Sequence, residues 1–184
     1  MKRIPKLFWP NALTLLNLTL GLGAIMIVAT PNARTNLLFL ASFFIGLAAL
    51  MDRFDGQLAR KLDAESELGK ELDSLSDLVS FGIAPMVVAW RTGLMMLGFV
   101  GLLVCILYPL CGAYRLARFN ITKLKGTYMG LPITLAGSFM ALINILNVYI
   151  ISRGFLSIFN AIITAVFAII LSLLMISKFQ LKKI

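Results

Sequence analysis

Apolar residues occupy six long stretches of the chain, which are separated by short polar connections. The stretches cover residues 11–29, 36–51, 72–90, 94–114, 130–151 and 155–177. A helix rises 1.5 Å per residue, so about 20 apolar residues cross the roughly 30 Å hydrocarbon core of a bilayer. The second stretch reaches this length only by continuing into the polar connection after it, and the third begins inside that connection. The pattern predicts helices at about 11–29, 36–61, 70–90, 94–119, 130–151 and 155–177.

The composition supports a membrane location for these helices. Hydrophobic residues make up 60% of the 184 residues and charged residues only 14%, well below the roughly 25% that is typical of soluble domains. The first apolar run is also too long for the hydrophobic part of a signal peptide. We therefore predict an all-α fold class, a polytopic membrane protein with six transmembrane helices, whose single domain covers residues 1–184.

Lysine and arginine residues alternate in number between successive connections. The N-terminal segment carries 3, the five connections carry 1, 4, 1, 4 and 1, and the C-terminal tail carries 3. Basic residues are enriched on the cytoplasmic side of membrane proteins, so we expect both termini in the cytoplasm. The net charge of +9 also suits anionic lipid headgroups. Membrane lipids are therefore expected partners, and nucleic acid is not.

All eight acidic residues lie in one window, residues 52–77. The chain has no histidine, which excludes a histidine general base and a histidine metal ligand. The two cysteines, Cys105 and Cys111, lie six apart inside an apolar stretch and do not have the spacing of a metal-binding pair. We therefore expect any bound metal to have oxygen ligands, which favours a hard cation such as Mg²⁺, Mn²⁺ or Ca²⁺.

Four aspartates in this window have helical spacing. Asp52 and Asp55 are three residues apart, and Asp73 and Asp77 are four apart, so each pair faces one side of a helix. The short connection makes the two helices antiparallel neighbours, and the four carboxylates can converge. Such a cluster repels itself strongly unless protons or cations neutralise it. Two divalent cations that also bind a diphosphate would fit this arrangement.

Small residues flank the aspartates. Gly56 and Ala59 follow the first pair by one turn and Gly69 precedes the second pair by one turn, so the backbone is open to a bulky ligand. Arg60 offers a fork of donors that suits a phosphate or a carboxylate. The remaining acids fit a solvated loop and an outward helix face that begins near Ser66: Asp63, Glu65, Glu67 and Glu71.

The eight positions Asp52-x2-Asp55-Gly56-x2-Ala59-Arg60-x8-Gly69-x3-Asp73-x3-Asp77 resemble, without departure, the signature of the CDP-alcohol phosphatidyltransferase family. The resemblance implies a dimeric six-helix fold with a two-metal site that faces the cytoplasm. The family transfers a phosphatidyl group from a CDP-linked lipid to an alcohol and releases CMP. By resemblance, the ligands of two divalent cations are Asp52, Asp55, Asp73 and Asp77, and Asp77 is the general base.

Three further stretches are similar to the phosphatidylserine synthase branch of that family, namely residues 73–85, the RLARFN run at 115–120, and Gly-Leu-Pro at 130–132. This similarity implies CDP-diacylglycerol and L-serine as substrates and the cell membrane of a prokaryote as the location. The acceptor-binding residues it implies are Arg115, Arg118, Asn120, Ser80, Phe81 and Gly82. The first helix carries the family's Pro-Asn-x2-Thr-x2-Asn pattern, and the CDP-lipid-binding residues implied are Thr14, Asn17, Gly56, Ala59, Arg60 and Gly69.

Several alternatives stay open at this point. Arg115 and Arg118 could clamp the serine carboxylate, but they could also bind lipid phosphates or snorkel at a helix end. The acceptor could be glycerol 3-phosphate or an inositol phosphate, although an anionic acceptor would want more basic residues in the pocket. A divalent-cation transporter would use the same carboxylates, but it would need polar residues through the full depth of the bilayer.

Overall fold

Six membrane-length helices build the protein in the computed structural model, which describes residues 8–31, 34–62, 66–121, 127–177 and 180–182. Each is long and apolar enough to cross a bilayer, which confirms the predicted fold class. One of the six is composite, because α3, a π-helical segment and α4 follow one another without a loop. The α-helices are α1 Phe8–Ala29, α2 Thr35–Leu62, α3 Glu67–Asp77, α4 Ala84–Thr92, α5 Phe99–Ile121, α6 Ile133–Ser152 and α7 Ile158–Ile176.

The surface of the bundle is apolar and part of its interior is polar. Large side chains such as Phe99 and Leu173 are exposed, whereas Thr14, Asn17 and Asn144 are buried. Hydrocarbon accepts exposed apolar side chains without cost, but it solvates polar groups poorly, so polar side chains turn inward. The chain is therefore an integral membrane protein.

The helix that begins with α3 changes its winding directly after Asp77. Residues Leu78–Ile83 are π-helical, and the Ala84 main-chain N–H donates to the Val79 carbonyl five residues back. Pro85 follows within the first turn of α4, and proline has no N–H to continue the regular α-helical ladder. The sequence predicted one regular helix over 70–90, and the extra residue of the wide turn was not anticipated.

The start of α5 also differs from the prediction at residue 94. Leu94–Leu97 form a 3-10 turn, and Gly98 follows with φ of 57°, a left-handed conformation that residues other than glycine rarely adopt. The reversal ends the turn and redirects the chain, so α5 begins at Phe99. Hydropathy could not separate these residues from the helix, because the turn is as apolar as the helix after it.

Glycines allow two close helix crossings around the π-helical segment. A Cβ atom at Gly21 of α1 would overlap Ser80, and one at Gly137 of α6 would lie 2.7 Å from the Phe81 Cα atom. Small residues let membrane helices approach closely and gain van der Waals contact. Helices α1 and α6, which both also pack on α2, thereby hold the segment next to Asp77 from two directions.

A short antiparallel ribbon joins two parts of the chain at one end of the bundle. Strand β1, Thr127–Met129, precedes α6, and strand β2, Gln180–Lys182, follows α7. Gly130 has φ of 73°, and a Cβ atom there would lie 3.1 Å from the Leu174 carbonyl oxygen. This pairing sets the α5–α6 connection beside the C-terminal tail, and these are two of the segments for which the basic-residue count predicts the same side.

Candidate active site

Helices α2 and α3 bring the carboxylates together. Asp52 and Asp55 lie one turn apart near the end of α2, and Asp73 and Asp77 lie one turn apart in α3. Asp52, Asp55 and Asp73 each offer a carboxylate oxygen within 4.8 Å of the others. The convergence that helical spacing predicts is therefore present in the structure. The loop acids Asp63 and Glu65 lie outside the described residues.

Asp77 completes the cluster from a deeper position. Its side chain is buried, with 7% exposure, and its carboxyl group contacts that of Asp52. Two carboxyl groups in contact repel each other unless a proton or a cation lies between them. Within the described part of the chain, Asp73 Oδ1 and Asp77 Oδ1 are buried and have no hydrogen-bond partner. Buried oxygens without donors suit a hard cation, so these residues fit the divalent cations that the sequence implied.

Hydroxyl groups from two other helices contact the α2 carboxylates. Thr14 of α1 donates from Oγ1 to Asp55 Oδ2 at 2.9 Å, and both residues are buried. Thr134 of α6 lies beside Asp52, where its hydroxyl can donate to that carboxylate. The family resemblance implied Thr14 as a residue that binds the CDP-lipid, and Thr134 was not identified from the sequence. The one sequence signal for Thr134 is its position two residues after Pro132, just beyond the third similar stretch.

A cavity of about 590 Å³ opens beside Asp55 and Asp73. A Cβ atom on Gly56 would meet no atom within 4 Å, whereas one on Gly69 would lie 3.0 Å from Ser66 Oγ and 3.3 Å from Asn11 Oδ1. Gly56 is therefore open to a ligand, and Gly69 lets the first turn of α3 pack close to the Ser66 and Asn11 side chains. The cavity lining is Pro10, Asn11, Thr14, Asp55, Gly56, Ser66, Glu67, Gly69, Lys70, Asp73 and Phe119.

The other predicted CDP-lipid residues have different surroundings. Arg60 is exposed, and its Nε donates to the Gly56 carbonyl at 3.0 Å. Asn17 is fully buried, and its side-chain amide has no hydrogen-bond partner among the described residues. Ala59 lies in α2, but its side chain is outside the described part. Binding of the CDP-lipid by these residues stays a prediction.

Three residues predicted to bind the acceptor are engaged in helix packing. Ser80 is fully buried and donates to the Asn17 main-chain carbonyl at 3.0 Å. Phe81 is fully buried at the crossing with Gly137, and Gly82 is buried as well. These contacts orient the segment after Asp77, and contact with the acceptor stays a prediction.

The two arginines of α5 have different environments. Arg118 donates from Nη1 to the Ile176 carbonyl at 2.9 Å and from Nη2 to the Ser177 carbonyl at 3.2 Å. It therefore caps the C-terminal end of α7, a contact that the sequence did not indicate. Arg115 is buried within α5, with 6% exposure, so its charge lies inside the bundle.

Asn120 links the end of α5 to the outer face of α3. Its amide Nδ2 donates to Ser74 Oγ at 3.0 Å and to Glu71 Oε1 at 3.3 Å. Lys70 Nζ donates to the Asn120 main-chain carbonyl at 3.3 Å. The amide therefore contacts the side of α3 that carries Glu71 and Ser74, and its predicted acceptor contact stays a prediction.

Together, the fold and the site define an integral membrane protein with a carboxylate centre at one end of its helix bundle, next to a cavity large enough for a nucleotide-sized ligand. The family model described as CDP-alcohol phosphatidyltransferase matches residues 7–176. The chain belongs to the CDP-alcohol phosphatidyltransferase family.

Two curated relatives align over most of the chain. The protein from Bacillus subtilis is 37% identical over 172 residues, which are 93% of this chain and 88% of that protein. The protein from Methanocaldococcus jannaschii is 37% identical over 172 residues, which are 92% of this chain and 71% of that protein. Both relatives are named CDP-diacylglycerol–serine O-phosphatidyltransferase.

Proposed function

We propose that the protein is a phosphatidylserine synthase, which transfers the phosphatidyl group of CDP-diacylglycerol to the hydroxyl group of L-serine and releases CMP. The observation that carries this proposal is the cluster of Asp52, Asp55 and Asp73 beside an open cavity, with Asp77 in contact with Asp52. Relatives of this name that align over nearly the whole chain support serine as the acceptor.

We expect the four aspartates to hold two divalent cations, either Mg²⁺ or Mn²⁺, with Ca²⁺ as a third candidate. The cations, when bound, neutralise the diphosphate of the substrate and stabilise the charge on the departing CMP. The aspartates themselves contribute oxygen ligands from two facing helices. The unpartnered buried atoms Asp73 Oδ1 and Asp77 Oδ1 support this role.

Asp77 is the proposed general base of the reaction. The serine hydroxyl oxygen attacks the phosphorus atom that carries the diacylglycerol, and the bond from that phosphorus to the CMP oxygen breaks. CMP leaves with the bonding electron pair, and the hydroxyl proton goes to an Asp77 carboxylate oxygen. Asp77 lies one turn deeper than Asp73 and is more buried, so it can approach the acceptor from the side away from the cavity mouth.

The cavity beside Gly56 and Gly69 is the proposed nucleotide site. Main chain that carries no Cβ atom lets a sugar–phosphate group approach the helix closely, and Ala59, one turn further along α2, stays a predicted contact of the same ligand. Arg60 lies at the exposed end of the same helix, where it can pair with a phosphate. Asn17 would contribute from the interior, and the acyl chains of the lipid would remain in the bilayer.

Arg115 is the residue best suited to bind the serine carboxylate. It is the buried arginine of α5, and a buried guanidinium group forms strong paired hydrogen bonds with a carboxylate. The packing and capping contacts of Ser80, Phe81, Gly82, Arg118 and Asn120 favour an indirect contribution of those residues to acceptor binding.

We expect the protein to work as a homodimer in the plasma membrane of a prokaryote, with the active site facing the cytoplasm. The dimer follows from the family resemblance. The orientation follows from the alternation of basic residues, and light scattering in detergent and labelling of engineered cysteines in cells test the two expectations.

The decisive experiment measures CMP release by the purified protein with CDP-diacylglycerol and Mn²⁺ or Mg²⁺, against serine, glycerol 3-phosphate, inositol phosphate and no acceptor. We expect release that depends on serine, with phosphatidylserine as the lipid product. Release that depends only on a phosphorylated acceptor would assign the protein to another branch of the family. Cation flux in proteoliposomes without CDP-lipid, and no CMP release, would support a transporter.

A further inference from the structure

We propose that Thr14 and Thr134 are positioning residues for the carboxylate centre, a role that extends the proposed function and rests on its cation site. Each hydroxyl holds one of the two α2 aspartates, and each comes from a different helix. The two hydroxyls set the directions in which the remaining free lone pairs of Asp52 and Asp55 point, whichever alcohol accepts the phosphatidyl group.

The Thr14 hydroxyl is committed to Asp55. Its Oγ1 atom lies 2.9 Å from Asp55 Oδ2 and 3.1 Å from the Pro10 carbonyl oxygen, but a hydroxyl has only one proton to donate. The Pro10 carbonyl is also within reach of the main-chain N–H four residues later, as in any α-helix. A carboxylate attracts the proton more strongly than a neutral carbonyl does, so Asp55 is the favoured acceptor.

Thr134 has the corresponding position on α6. It is the second residue of that helix, two positions after Pro132, and its hydroxyl lies within reach of the Asp52 carboxylate. Helix α6 packs on α2, as α1 does. Each α2 aspartate is therefore supported by a threonine on a different neighbouring helix.

The carboxylates need this support because they repel one another. Three of them have oxygens within 4.8 Å, and an unsupported aspartate side chain would rotate to separate its charge from the others. A hydroxyl that occupies one lone pair fixes this rotation and leaves the remaining oxygen directed at the site. Hydrogen-bond partners of metal ligands commonly change metal affinity by about 10–100-fold when they are removed.

The test uses valine and serine at both positions. Valine keeps the shape of threonine but removes the donor, whereas serine keeps the donor. The matched control is Thr19→Val, since Thr19 lies on α1, is exposed, and donates to the Leu15 carbonyl at 2.7 Å. On α6 the control is Ser138→Ala. The Ser138 hydroxyl of the wild type donates to the Thr134 main-chain carbonyl at 2.7 Å.

Mn²⁺ binding to each purified full-length variant is measured by titration calorimetry without substrate, and thermal unfolding without metal checks that the variant is folded. We expect Thr14→Val and Thr134→Val to raise the Kd for Mn²⁺ by about tenfold or more. The two serine variants and the two controls are expected to bind as the wild type does. The turnover of each valine variant, relative to the wild type, should then be higher at saturating Mn²⁺ than at low Mn²⁺.

Two results would overturn the inference while leaving the proposed function intact: valine variants that bind Mn²⁺ as tightly as the wild type, or serine variants that bind as weakly as the valine variants. If Thr14→Val does not fold, the valine and serine variants of Thr134 decide the question. A wild-type protein that binds neither Mn²⁺ nor Mg²⁺ would remove the cation site of the proposed function, and this inference with it.

Discussion

The Ser80 hydroxyl donates a hydrogen bond to the main-chain carbonyl of Asn17 at 3.0 Å. This contact joins α1 to the π-helical segment that begins directly after Asp77. The approach is close because Gly21, one turn along α1, has no side chain that would meet Ser80. The depth and direction of Asp77 therefore depend on a glycine in a different helix.

Gly21→Ala is expected to destabilise the protein by about 1–3 kcal/mol, because the added methyl group must displace the backbone of the segment after Asp77. The thermal midpoint in detergent measures this effect. Gly46→Ala is the control, since a Cβ atom there would meet nothing within 4 Å. Equal midpoints for the two variants would contradict the close crossing.

Asp77→Asn is expected to reduce the rate of CMP release by about 10²–10⁴-fold, which is the usual contribution of a general base. The amide has the same shape but cannot take the serine proton. Glu71→Gln is the control, because Glu71 is an exposed carboxylate on the same helix. The base assignment would be abandoned if the Asp77 variant turned over at the wild-type rate with both substrates and metal bound.

Gly56→Ala is expected to fold normally and to bind CDP-diacylglycerol more weakly. Its methyl group would enter open cavity space and crowd the ligand. If that crowding costs about 1.4 kcal/mol of binding free energy, the affinity falls about tenfold. The KM for CDP-diacylglycerol and the thermal midpoint are measured together. Gly69→Ala should lower both affinity and stability, because its methyl group would press on Ser66. An unchanged KM for Gly56→Ala would argue against the cavity as the nucleotide site.

The two arginines of α5 should respond differently to replacement by lysine. Arg118→Lys loses the fork that bonds two carbonyls at the end of α7 and should lower stability by about 1–2 kcal/mol, with little change in the KM for serine. Arg115→Lys should raise the KM for serine with little change in kcat. Arg91→Lys is the control, since Arg91 is exposed at the end of α4. A higher serine KM for Arg118→Lys alone would reverse the assignment.

Removal of divalent cations should abolish CMP release without unfolding the protein. Chelation followed by buffer exchange, with helicity followed by circular dichroism, separates the two effects. Mn²⁺ or Mg²⁺ should restore activity, because carboxylate oxygens prefer hard cations. Full activity in the chelated protein would exclude a metal role for the aspartates.

Much of the fold could be predicted because a bilayer imposes simple rules on sequence. Helices must be about 20 apolar residues long, so their number follows from hydropathy, and the structure confirms six. The same rules say little about local breaks. The π-helical segment and the 3-10 turn are as apolar as the helices beside them. Their geometry depends on Pro85, whose carbonyl accepts a hydrogen bond from Asn144 of α6, and on the positive φ angle of Gly98.

The carboxylate centre was also largely predictable, since residues three or four apart share a helix face and a short connection forces two helices to be neighbours. The neighbours of the centre were not. Thr134 lies 82 positions from Asp52 in the sequence, and Ser80, Phe81 and Gly82 share a motif with Asp77 although their contacts are with other helices. Motif membership alone does not separate residues that touch a ligand from residues that hold a helix in place.

The sequence by itself determined the six spans, the convergence of four aspartates and the openness of the chain at Gly56, because each depends on spacing within one helix or one connection. Only the tertiary structure decided which helices support the centre. Thr14 and Thr134 come to Asp55 and Asp52 from helices that lie far apart in the sequence, and Arg118 turns to the end of α7. These contacts depend on how helices pack, and that packing results from the whole set of small and large side chains between them.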